Sequence, residues 1–230
     1  MNKNIKVIAF DADDTLWVNE TYFRDAEHQF AKLLSKYETE NKIDQELFKK
    51  EIDNLHLYGY GIKGFVLSMV ESALELSNYQ INPKIIASIL NIGKEMLAQP
   101  IELLDGVEEV LKSYYGKYKL IVATKGDLLD QERKLEKSNL LKYFHHIEVM
   151  SDKKENDYQK LINHLDIDPS ELLMIGNSLK SDVLPLINIG ATAIHIPFHT
   201  TWVHEEVSDN EKSDTDYKTL SSIKEIKNIL

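Results

Sequence analysis

The chain has 230 residues, 43% apolar and 28% charged, a balance that excludes disordered and low-complexity classes. Its 27 basic and 38 acidic side chains leave a net charge of −11. Phosphate neutralisation needs clustered Lys and Arg, so no nucleic-acid or anionic-membrane partner is expected. The absence of Cys excludes disulfide scaffolds, thiolate metal sites and cysteine nucleophiles.

The first predicted element is a strand, Ile5-Lys6-Val7-Ile8-Ala9-Phe10. It is short, β-branched and apolar, and it stops at a cluster of Asp, as buried strands of parallel sheets do. This N-terminus lacks the long apolar run and small-residue cleavage site of an export signal. No window reaches the roughly 18 apolar residues that read as a membrane span. A cytoplasmic protein is expected.

The next strand comes only at Lys119–Ala123. The long stretch between holds helical patterns at about 20–37, 44–57, 62–77 and 83–98. Phe65, Met69, Ala73 and Leu76, and then Ile85, Ile89, Ile92 and Met96, follow the i, i+3/i+4 period. A crossover between parallel strands needs about a dozen residues, so this segment reads as an inserted helical domain. Its Tyr58-Gly59-Tyr60-Gly61 stretch fits either an interhelical turn or the lining of an entrance. Trp17 and Tyr22 face either a site or the helical core.

Strands and helices then alternate. Helices are predicted at about 106–115, 128–138, 156–165 and 181–189, and strands at Ile147–Met150, Leu172–Ile175 and Thr192–Ile196. Such alternation indicates a doubly wound parallel α/β sheet. The stretch at about 204–218 reads as a polar surface loop, and Leu220–Leu230 as a closing helix. The predicted α/β domain comprises residues 1–17 and 100–230; the helical domain comprises 18–99.

Ligands of open α/β sheets bind beyond the carboxyl ends of the strands. Those ends deliver Asp11, Asp13, Asp14 and Thr15, then Thr124, Lys125 and Asp127, then Ser151, Asp152, Lys153 and Lys154, then Asn177, Ser178, Ser181 and Asp182. Crowded carboxylates suit a hard cation such as Mg2+. Lysines and hydroxyls beside them suit anionic oxygens. Together they point to phosphoryl transfer, with a carboxylate available as nucleophile.

The pattern resembles the haloacid dehalogenase superfamily. Its D-x-D-x-T motif appears as Asp11-Ala12-Asp13-Asp14-Thr15, and its strand-end Thr as Thr124. Its Lys before a helix is Lys153 or Lys154, with Ser-Asp-Lys followed by Tyr158 favouring Lys153. Its G-D-S-x-x-x-D motif appears as Gly176-Asn177-Ser178-Leu179-Lys180-Ser181-Asp182. The resemblance covers nearly the whole chain, including a helical cap between the first two motifs. It implies a Rossmann-like core and a Mg2+-dependent phosphatase acting on a small phosphorylated metabolite.

The resemblance also implies roles. Asp11 is the nucleophile, and Asp13 the general acid and then base. Asp11, the Asp13 carbonyl and Asp182 hold the metal, while Thr124, Lys125 and Lys153 face the phosphoryl group. Dehalogenases release halide without needing a proton, so Asp13 favours phosphate-ester hydrolysis. A phosphomutase, a dehalogenase and a non-catalytic phospho-ligand binder are the alternatives. Two positions depart from the family pattern: Asp14 stands where Gly is common, and Asn177 where Asp is common. His195, His199 and His204 match no zinc spacing and read as packing or surface residues. Oligomeric state is not legible.

Overall fold

The computed structural model describes residues 4–208 and 217–229. By backbone contacts these form two units. One takes in the residues up to Glu20, Ile101–Lys125, and the chain from Glu132 onward; the other is Thr21–Pro100 with Gly126–Gln131. The last six-residue stretch follows the second strand, where the sequence placed it in the α/β part.

The first unit is built on a six-stranded parallel sheet: β1 (Val7–Phe10), β2 (Lys119–Lys125), β3 (His146–Met150), β4 (Leu172–Gly176), β5 (Thr192–His195) and β6 (Lys218–Thr219). Their spatial order is β3-β2-β1-β4-β5-β6. The order runs outward in both directions from β1, so the switch point falls between β1 and β4, where doubly wound sheets bind ligands. There Ile8 pairs with Leu173 and Phe10 with Ile175.

Side chains alternate between the two faces of the strands, and both faces are covered. On one, Ile8, Phe10, Leu120, Val122, Leu173 and Ile175 pack with Val107, Val110 and Leu111 of α5 (Val107–Tyr114). On the other, Val7, Ala9, Ile121, Ala123, Leu172 and Met174 pack with Tyr158, Leu161 and Ile162 of α7 (Glu155–Leu165). Covering both faces explains why these strands read as continuous apolar runs. The remaining helices of this part of the chain are α6 (Leu128–Ser138) and α8 (Leu184–Asn188).

Two predictions near the C-terminus are corrected. The helix expected at 220–230 is a 3-10 segment, Ile223–Asn228, with Ile223 and Ile226 buried three residues apart, the 3-10 period; Leu230 lies outside the described residues. The stretch at 204–218 is not simply a surface loop. Residues 209–216 lie outside the described residues, but Val203–Glu205 forms a 3-10 turn and β6 adds an edge strand beside β5.

The second unit contains α1 (Glu20–Leu34), α2 (Glu40–Tyr58), α3 (Ile62–Leu76) and α4 (Pro83–Ala98), with the first residue of α1 assigned to the α/β unit. Its core joins Phe30, Leu34, Ile43, Leu47, Phe65, Met69, Ala73, Ile89, Ile92 and Met96. Asn82 caps α4 by accepting the Lys84 N–H, with Pro83 at the first helical position, where its missing N–H costs nothing.

Candidate active site

The end of β1 delivers Asp11 into the switch point. Its main-chain N–H still continues the sheet, donating to the Ile175 carbonyl at 2.9 Å. Lys153 reaches it from the turn between β3 and α7. The Lys153 ammonium donates to Asp11 Oδ1 at 2.5 Å and to Asp182 Oδ1 at 2.7 Å. Its side chain is 1% exposed, whereas that of Lys154 is 73% exposed and pairs with Asp152. Of the two lysines the sequence left open, Lys153 is therefore the one at the carboxylates.

Burial pushes the Asp11 carboxyl up to about 7, against the opposing pull of Lys153. Burial also works against the Lys153 charge, but the Asp11 and Asp182 carboxylates outweigh it and hold its pKa well above 10.5. With both acids ionised, the triad carries one net negative charge.

Thr15 donates to Asp11 Oδ2 at 3.0 Å. Asn177, just past the end of β4, has acceptors on one side of its amide and donors on the other. With its amide nitrogen turned inward it donates to Asp11 Oδ2 at 3.3 Å and to the Asp13 carbonyl at 3.2 Å. The Asp13 carbonyl thus faces the same space as the Asp11 carboxylate.

The Asp13 side chain points elsewhere. It accepts from Trp17 Nε1 at 2.7 Å and from Lys134 Nζ at 2.9 Å. Lys134 also holds Asn19 Oδ1 at 2.8 Å. Trp17, left undecided by the sequence, is fully buried and serves this carboxylate. Asp14 adopts φ 60°, the left-handed region that Asp tolerates better than most residues. Its carboxylate accepts the Asn19 and Glu20 N–H groups at 2.8 and 3.0 Å. The residue standing where Gly is common therefore ties down the start of α1.

Thr124 is buried at the end of β2, its hydroxyl donating to the Lys125 carbonyl at 3.1 Å. Lys125, predicted to face phosphate, pairs with Glu205 at 2.5 Å and donates to Ser181 at 2.9 Å. Asp182 lies on a π-helical turn, Leu179–Val183, a conformation frequent at functional sites. It packs over Gly176: a Cβ there would lie 2.2 Å from Asp182 Oδ2.

Sequence reasoning missed two residues. Lys134 is one polar residue among many on α6, and nothing in its spacing marks it. Glu205 fell in the predicted surface loop, yet its side chain is only 13% exposed. Burial favours its neutral form, but Lys125 and the Ser178 and Ser181 hydroxyls prevail and bring its pKa down to about 2. Of the three histidines, His195 meets the Asn177 carbonyl and His204 lies tilted against Trp202, while His199 is exposed and lies tilted against Phe198.

The donor set fits a hard cation. Among the described residues no three His, Cys, Asp or Glu side chains gather as a metal site. A cation at the switch point would instead rest on two carboxylates, Asp11 and Asp182, and the Asp13 main-chain carbonyl. All are oxygens, the ligands Mg2+ prefers.

A doubly wound parallel sheet with an acid–lysine cluster at its switch point is the framework of an α/β enzyme. The chain belongs to the haloacid dehalogenase-like hydrolase family, whose model matches residues 5–190. It is 39% identical to a solved haloacid dehalogenase-like family hydrolase from Xanthomonas campestris, over 90% of this chain and 87% of that one, with a TM-score of 0.81. The N-acylneuraminate-9-phosphatase of Homo sapiens is 24% identical, over 98% of this chain and 94% of its own length. The fold is shared with the HAD-hydrolase YfnB from Bacillus subtilis, solved bound to magnesium: 16% identity, 99% of each chain, TM-score 0.67.

Proposed function

We propose that this protein is a Mg2+-dependent phosphatase that hydrolyses small phosphorylated metabolites through an aspartyl-phosphate on Asp11. The observation that carries the reading is Lys153, buried at the strand ends and bonded to both Asp11 and Asp182. Family membership and the phosphatase name of the human relative support it. The Bacillus relative's magnesium supports the choice of cation.

The roles are those that the family resemblance implies, set on the atoms of this site. Asp11 Oδ2 attacks phosphorus and the ester P–O bond breaks. The departing oxygen takes a proton from Asp13, which then accepts one from the water that hydrolyses the acyl phosphate. Reaching the departing oxygen requires the Asp13 carboxyl to leave Trp17 and Lys134. Lys153 keeps Asp11 oriented and offsets charge on the transferring group, and Thr124 donates to that group once its hydroxyl turns from the Lys125 carbonyl. Mg2+, held by Asp11, the Asp13 carbonyl and Asp182, would favour the ionised nucleophile and neutralise phosphate charge.

The test is phosphate release from a panel of small phosphoesters, with Mg2+ and with chelator, beside Asp11→Asn. N-acylneuraminate 9-phosphate belongs in the panel because of the human relative. The expected result is release that needs both Mg2+ and Asp11. Release that survives Asp11→Asn contradicts the mechanism. Phosphoryl return to substrate without free phosphate indicates a mutase, and halide release from a 2-haloacid a dehalogenase.

A further inference from the structure

Glu205 takes no part in the chemistry proposed above, yet it accepts three short hydrogen bonds near it. It ends the 3-10 turn Val203–Glu205, beyond β5. Its Oε1 accepts from Lys125 Nζ at 2.5 Å, and its Oε2 from Ser178 Oγ at 2.5 Å and Ser181 Oγ at 2.6 Å. Lys125 closes the group by donating to Ser181 Oγ at 2.9 Å.

Those two serines shape the turn that carries Asp182. Ser178 Oγ accepts the Ser181 N–H at 3.0 Å. The Ser178 N–H donates to Asp182 Oδ2 at 3.0 Å, and the Asp182 N–H returns to the Ser178 carbonyl at 2.8 Å. Tyr158 fixes the same turn from α7 by donating to the Ser181 carbonyl at 2.9 Å. Each hydroxyl can donate once, and each spends that bond on Glu205.

We propose that Glu205 is a positioning residue for the cation: through Ser178 and Ser181 it fixes where Asp182 presents its carboxylate, and it neutralises Lys125 beside that turn. The inference rests on the reading of Asp182 as a Mg2+ ligand. Without Glu205 the hydroxyls lose their acceptor and the turn loosens. Lys125 also loses the Glu205 carboxylate close to a site meant for a divalent cation. Both effects weaken Mg2+, and neither weakens an anionic substrate. A residue important only for folding has no reason to produce that split. The carboxylate also acts separately from the second tether of the same loop, the bond from Lys180 Nζ to the His204 carbonyl at 2.6 Å.

The test is calorimetric Mg2+ binding to the full chain for wild type, Glu205→Ala, Glu205→Gln and Lys180→Ala. Steady-state hydrolysis of p-nitrophenyl phosphate at saturating Mg2+ accompanies it. Removing a partner that orients a metal ligand typically costs about 10–100-fold in affinity, and that rise in Kd is expected for Glu205→Ala. Glu205→Gln keeps the shape and an acceptor oxygen, so it should fall between Ala and wild type; it also serves if the Ala variant fails to fold. Lys180→Ala should bind Mg2+ as wild type does, and the KM of the Glu205 variants should not rise. Unchanged Mg2+ affinity in both Glu205 variants overturns the proposal, as does an equal loss in Lys180→Ala. A wild-type chain that binds no Mg2+ removes the metal reading and this inference with it. Unchanged variants beside a Mg2+-binding wild type overturn the inference alone.

Discussion

Asp11, Asp13 and Asp14 stand within four positions of one another, yet each is placed for a different task by where its oxygens point. Asp11 turns to Lys153. Asp13 offers its carbonyl to the switch point and its carboxylate to Trp17 and Lys134. This division predicts a separation of effects. Asp13→Asn should lower kcat by about 10²–10⁴, the usual worth of general acid–base catalysis, while Mg2+ affinity measured by calorimetry stays as in wild type. Asp182→Asn should lose Mg2+ affinity as well as rate. Equal loss of Mg2+ binding in both variants would show that the Asp13 side chain, not its carbonyl, holds the metal.

Asp14 gives a prediction about stability. Burial raises its carboxyl from 3.8 to about 7, and the repulsion of Asp13 adds to this, while the Asn19 and Glu20 N–H groups and Lys134 work against it. A carboxyl whose folded pKa is raised favours the folded state most below its unfolded value, and that contribution is lost as pH rises through the folded value. Asn tolerates the same left-handed backbone and keeps an acceptor for the two N–H groups. In chelator, Asp14→Asn should therefore gain stability over wild type as pH rises from about 4 to about 7. The gain is at most about 1.4 kcal/mol per pH unit and levels off above. Chemical denaturation across that range measures it, and a difference that does not change with pH would show that the carboxyl titrates normally.

At the scale of elements, the end of β4 bears the tightest geometric demand. Gly176 has no side chain because the Asp182 carboxylate and its Cβ occupy that space, at 2.2 and 2.5 Å from a built Cβ. Neither atom lies at the end of a long flexible chain, so Gly176→Ala must displace the π-helical turn itself. Overpacking of this kind costs about 1–3 kcal/mol, and Mg2+ affinity should fall with it. A thermal melt and a Mg2+ titration of the one variant check both; an Ala variant that binds Mg2+ normally would mean that the turn gives way without moving Asp182.

The regular elements were legible because their periods were. Phe65, Met69 and Ala73 follow the helical repeat and are buried together in α3, and the apolar runs of β1 and β4 are buried on both faces. The segments that the sequence misread are short. A five-residue π-helical turn, a three-residue 3-10 turn at Val203–Glu205 and a two-residue β6 are too brief to show any period. The C-terminal Ile223 and Ile226 have the spacing of either an α-helix or a 3-10 helix.

For the whole molecule, the strand order gathers residues from four distant parts of the chain. Those at the ends of β1, β2 and β4, and Lys153 just beyond β3, were legible because a strand end is visible in the sequence. The sequence favoured Lys153 over Lys154 only through the residues around it; which of two adjacent lysines turns inward is a matter of direction, which the structure gives. Lys134 and Glu205 were not legible because they reach the strand ends from a helix face and from a polar loop. Their charges look like those of any solvated surface until the fold buries them. Lys125 shows the converse: it was legible as a cation at a strand end, but its carboxylate partner, Glu205, lies 80 residues away.

The measurement that tests the central claim most directly is mass spectrometry of the chain quenched in acid during turnover of a phosphoester with Mg2+. The account predicts one phosphoryl group on the peptide that contains Asp11, absent in Asp11→Asn and absent in chelator. Turnover that leaves no phosphoryl group on that peptide, or places one on another residue, would contradict Asp11 as the nucleophile.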